Sequence, residues 1–152
     1  MKKKFIHLLI FFLFLQNCGY SPIHSSQNKS FFKFNVTEFS GNVEMNEIIN
    51  MQIQRYSNTL SNNKIDLKVF SYYEKEILSK DKKGEPTKFL IKKIINFRLI
   101  DSDKNKSFSF DKETAIDNIV DKFELNNYEK SIKQDFISSS IDELILKLSG
   151  DQ

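Results

Sequence analysis

The chain has no tryptophan, a single cysteine, two prolines, four glycines and two histidines. Of the histidines, His7 lies in an N-terminal leader and only His24 follows it, so the common His and Cys metal sites lack their ligands. Cys–His and Ser–His catalytic pairs lack their parts for the same reason. There is no glycine-rich phosphate loop and no internal repeat. Long apolar runs are missing as well: Phe5 to Leu15, broken only by His7, is 11 residues, against about 20 for a membrane-spanning helix. Excess charge of one sign is also absent. Lysine and arginine number 23 against 20 aspartates and glutamates, and Lys2, Lys3 and Lys4 account for the whole difference. A domain that is neutral without its leader is not a general nucleic-acid or membrane-surface binder. No enzyme, metal or cofactor is expected, and no nucleic acid as partner. Fifteen phenylalanines, with many Asn, Lys and Ile, read as biased base composition and carry no functional weight.

What is present begins with the leader. Three lysines followed by the short apolar run have the layout of a secretory signal peptide, placed at residues 1–17. In place of a small-x-small cleavage site stand Leu15, Gln16, Asn17 and Cys18, followed by Gly19 and Tyr20. This resembles a bacterial lipobox, cut immediately before a cysteine that carries lipid, with Asn17 in place of the usual small residue. An unpaired cysteine in an exported protein is otherwise a free thiol; lipid on Cys18 resolves that. Each buried methylene contributes about 0.8 kcal/mol, and two acyl chains, palmitate for example, hold a protein stably on a membrane. Gly19, rather than Asp, after the cysteine resembles cargo sorted to the outer membrane.

Cys18 to Gln152 is 135 residues, one domain able to bury a core. Residues 18–30 form the lipidated N-terminus and a polar tether, and residues 31–152 a single domain. Phe31 to Phe39 alternates, with Phe32, Phe34 and Val36 on one face, and reads as a half-buried strand. From Val43 to Leu60, Met45, Ile48, Ile49, Ile53, Tyr56 and Leu60 recur at helical spacing. Lys64 to Leu78 is a second strand, Asp81 to Pro86 a turn with Gly84 at its bend, and Thr87 to Asp101 a third strand apolar on both faces. Asp101 to Asn105 makes a polar turn before a fourth strand, Lys106 to Ala115. A final helix runs to Gly150, with Asn126 as cap and Glu129 closing a capping box. The expected fold is α+β: two helices on one face of a four-stranded mixed sheet, in the order β-α-β-β-β-α. One sheet face is left over, holding Phe70, Tyr72, Leu90, Ile94, Arg98 and Ile100. Acidic pairs such as Glu74 with Glu76, or Asp101 with Asp103, read as solvated edges rather than a catalytic dyad.

The opening Cys18 to Ile23 (CGYSPI), the hairpin from Ser71 to Asp101 and the passage from Phe108 to Leu148 ending in IDELILKL together resemble the LPS-assembly lipoproteins, the LptE family. The resemblance spans nearly the whole mature chain in element order and length. It implies a non-enzymatic lipoprotein, anchored through lipid in the inner leaflet of the outer membrane and facing the periplasm. Such proteins plug the lumen of the LptD β-barrel, help it assemble and take part in delivering lipopolysaccharide to the outer leaflet. The family's lipopolysaccharide-phosphate contacts, carried over to the turn after the second strand, fall on Lys80, Lys82, Lys83 and Lys88. A second basic position near the last helix falls on Leu125, with Lys122 the nearest lysine. The alternative expectation is an outer-membrane lipoprotein that activates a periplasmic cell-wall synthase, against which the short tether argues.

Overall fold

The computed structural model describes residues 32–100 and 106–150. The leader, Cys18, the tether and the turn expected at 101–105 lie outside them. The elements are β1 (Lys33–Gly41), α1 (Val43–Tyr56), β2 (Lys64–Lys80), β3 (Pro86–Ile100), β4 (Ser107–Asp117) and α2 (Lys122–Gly150). Strands lie in the order β1-β2-β3-β4, with β1 parallel to β2 and the other pairs antiparallel. This is the mixed sheet, and the order β-α-β-β-β-α, that the periodicities specify.

Both helices cover one face. Met45, Ile49 and Ile53 of α1 meet Leu67 and Val69 of β2, Ile95 and Phe97 of β3, and Ile137, Ile141 and Leu144 of α2 in one buried cluster. Fully burying each such side chain stabilises the fold by about 1.5–3 kcal/mol, which fixes the inward phase of every strand. A smaller cluster of Ile91, Ile116 and Leu125 closes the other end of the sheet.

The junction from β1 to α1 is set by backbone. Gly41 has φ +91°, and a Cβ there would lie 1.8 Å from the Ser71 carbonyl oxygen, so only glycine lets the chain pass β2 at this point. Asn42 then caps α1, its side chain accepting from Met45 N at 3.0 Å.

Two helix boundaries differ from the expected ones. α1 ends at Tyr56, not Leu60, because the Ser57 hydroxyl accepts from Phe34 N (3.0 Å) and Asn58 N donates to Phe32 O (2.9 Å). These bonds draw the chain back to β1 and leave Leu60 90% exposed. α2 starts before Asn126: Asp121 Oδ1 accepts from Phe123 N (2.8 Å) and Glu124 N (3.1 Å), which makes Asp121 the cap and leaves Asn126 inside the helix. α2 is 29 residues long, yet among the described residues no helix is long and apolar enough to cross a membrane.

Candidate functional site

The hairpin between β2 and β3 is built by Asp81. Its Oδ1 accepts from Lys83 N and Glu85 N, both at 2.8 Å, while its own N–H donates to Glu85 O at 2.9 Å. Gly84 completes the bend at φ +87°. This closed loop holds Lys82 and Lys83 at its exposed tip, with Lys80 beside it at the end of β2. Lys88, on β3, is exposed and pairs with Asp117 at 3.4 Å. Lys80, Lys82, Lys83 and Lys122 make no ion pair among the described residues. Asp81, Glu85 and Asp117 stand among the lysines, so the tip is basic but partly compensated.

Lys122 is brought to the same end of the molecule by the segment after β4. Asn118 N donates to Thr87 O (2.8 Å) and Asn118 Nδ2 to Pro86 O (2.9 Å), tying that segment to the hairpin base four residues before Lys122. Leu125, by contrast, is buried against Ile91 and Ile116 and presents nothing to a ligand.

Beside the lysines stand exposed apolar side chains that sequence reasoning missed. Val120 is 95% and Phe123 76% exposed, and Ile77 and Leu78 near the hairpin tip are about half exposed. Val120 and Phe123 flank the Asp121 cap, and that flanking was the available signal: two large apolar residues outside the buried stripe of the helix. This end of the sheet is both cationic and apolar, which suits an amphiphile carrying phosphate.

The uncovered sheet face holds the six residues expected there. Phe70, Tyr72 and Ile100 are exposed, Leu90 and Ile94 half-buried, and Arg98 exposed. It is not uniformly apolar, because Lys92 crosses it to Glu76 at 3.0 Å and Glu74 at 4.0 Å. Asn96, opposite Phe70 in the register, has its Oδ1 buried without a hydrogen-bond partner.

Under the helices lies a second polar set, also unread in the sequence. Tyr73 donates to Glu129 Oε2 at 2.8 Å, Lys75 pairs with the same carboxylate, and Lys133 pairs with Glu44 at 2.5 Å over the Tyr73 ring. Burial, then Glu129 and Glu44, push the Tyr73 phenol well above its usual range. Each group is satisfied, so the set locks α2 to the sheet. Ser138, Ser139 and Ser140 do not assemble a nucleophile: Ser139 and Ser140 donate to Phe136 O at 3.0 and 2.8 Å.

The arrangement defines a two-layer α+β domain with one open sheet face and one end that is both basic and apolar. No protein-family model matches the chain, and no curated protein matches its sequence. Solved structures similar to it include the rare lipoprotein B of Shewanella oneidensis, at 14% identity over 77% of this chain and 95% of that one, with a TM-score of 0.49. Lipoprotein B of Nitrosomonas europaea is 12% identical over 77% and 84% of the two chains, with a TM-score of 0.49. A minor lipoprotein of Acinetobacter baumannii is 15% identical over 75% and 93%, with a TM-score of 0.44.

Proposed function

We propose that the protein is a lipoprotein of the LptE type. Lipid on Cys18 holds it to the inner leaflet of the outer membrane, where it plugs and helps assemble an LptD-like β-barrel and takes part in lipopolysaccharide delivery. The observation that carries this reading is the end of the sheet where the hairpin, bearing Lys80, Lys82, Lys83, Lys88 and exposed Ile77 and Leu78, is tied through Asn118 to the segment bearing Lys122 and exposed Val120 and Phe123. Ammonium groups on flexible stems serve several phosphates as point charges, and the adjoining apolar side chains suit the acyl part of the same molecule. The lipobox around Cys18 and the open sheet face support the reading, the first by supplying an anchor and the second a surface for a large partner.

A mild-detergent pull-down of the tagged protein from its native cells tests it. Recovery of one large β-barrel at near-equal amount is the expected result. Recovery of periplasmic synthases, or of no barrel, overturns the translocon reading.

A further inference from the structure

The geometry points to the free edge of β4 as a docking site for an extended polypeptide segment of a partner, taken up as a fifth strand with basic residues at alternate positions. Among the described residues β4 pairs only with β3, and that register runs unbroken from Lys88↔Asp117 to Arg98↔Ser107. The opposite edge, β1, is interrupted by a register shift between Val36 and Glu38, a feature that discourages strand addition. Leu99 N donates to Lys106 O and Asn118 N to Thr87 O, each at 2.8 Å, so the even-numbered residues of β4 exchange the bonds with β3. Ser109, Asp111, Glu113 and Ala115 therefore turn their N–H and C=O groups outward. Such a row, repeating at the strand pitch, is complementary to another backbone.

Space for the incoming side chains exists on the inner side. A cavity of about 320 Å³ lies between this edge and α2, lined by Phe110 and Phe136 and by the charged Lys112 and Glu143. Ser139 and Ser140, on its helical wall, spend their hydroxyl protons on Phe136 O and leave a small, undemanding surface. A small apolar side chain opposite Phe110 would pack on Phe110 and Phe136 and leave Lys112 and Glu143 at the solvent side of this space.

Charge selects the other face of the segment. The outward-bonding residues carry their side chains on the open sheet face, where Asp111, Glu113 and Asp117 supply carboxylates and no lysine. Asp111 and Glu113 make no ion pair among the described residues, since Lys92, across from Glu113, is taken by Glu76 and Glu74. Lysine or arginine opposite these two positions completes the ladder. A second copy of this chain is a poor occupant. Two-fold pairing centred on residues 111–113 sets Asp111 against Asp111, Asp111 against Glu113, or Glu113 against Glu113.

The test uses the full-length lipidated protein in a non-ionic detergent, with empty micelles as blank. The probes are fluorescent ten-residue peptides alternating lysine or glutamate with valine. The lysine peptide is expected to bind and to slow NMR-detected hydrogen exchange at Ser109, Asp111, Glu113 and Ala115. The double variant Asp111→Lys, Glu113→Lys is expected to weaken that binding about tenfold and to prefer the glutamate peptide. The milder Asp111→Asn, Glu113→Gln pair, which keeps the shape, is expected to weaken it without reversing the preference. Unslowed exchange at those four amides, unchanged binding by both variants, or protection that appears through self-association overturns the proposal.

Discussion

Lys93 is the residue that least resembles its position. It stands on the inward face of β3 between Ile91 and Ile95 and is only 1% exposed, with its ammonium 3.0 Å from Thr114 Oγ1 and 5.6 Å from the centre of the Phe136 ring. Burial, reinforced by Lys112 and opposed by Asp135, pushes its pKa down to about 8. In the unfolded chain the amine titrates near 10.4. Below the folded value both states hold the proton and the cost of burying the charge is fully present; between the two values only the unfolded chain binds it, so this contribution to stability rises with pH. Lys93→Met should therefore stabilise the fold by about 1 to 3 kcal/mol at pH 7. The gain should shrink from pH 8 toward pH 10.5, as thermal unfolding of both proteins at each pH would report. Strand alternation already put Lys93 inside. Its charge hid the fact, because lysine is seldom fully buried without a carboxylate, whereas here the aliphatic stem packs and a hydroxyl meets the head.

At the scale of elements, the periods of 2 and 3.6 in the sequence were enough to order all six, although Lys112 interrupts the inward side of β4. The ends were less legible because long-range bonds decide them. Helical spacing continues from Tyr56 to Leu60, but the bond from Phe34 N to the Ser57 hydroxyl, 23 residues apart, stops α1 first. Glu129 had the right spacing for a capping box, yet its carboxylate goes to Tyr73 and Lys75, and Asp121 caps instead. Asp121→Ala should lower stability by about 1 kcal/mol, while Asn126→Ala, inside the helix, should leave it unchanged or slightly raised. Urea titration separates the two. Gly41→Ala should be far more harmful than either, at 3 kcal/mol or more on the order of a core truncation, because the added methyl meets the Ser71 carbonyl. If urea midpoints of Gly41→Ala and wild type coincide, the junction is not as constrained as its backbone requires.

For the whole molecule, the lysines of the hairpin were legible because one turn holds them, and Lys122 was legible only as a lysine. What brings it to the hairpin is Asn118, bonded to Pro86 and Thr87 about thirty residues earlier in the chain, a contact with no local signature. On the proposed function, Lys82→Glu with Lys83→Glu should weaken lipopolysaccharide binding by about three- to tenfold, given exposed charge pairs of about 0.2–1 kcal/mol each. Recovery of the barrel in the same pull-down should not change. Loss of both would mean that the hairpin tip belongs to the barrel contact instead.

The parallel pairing of β1 with β2 also sets an order of assembly. β2, β3 and β4 meet across short turns, and closing such loops takes well under a microsecond. β1 meets β2 across the whole of α1, since Lys33 pairs with Lys64, and α2 reaches back 89 residues to put Lys133 on Glu44. Non-local contacts of this kind form late. The meander, whose contacts are the more local, is therefore expected to form first, and β1 and α2, joined to it by pairings distant in sequence, are expected to take their places late.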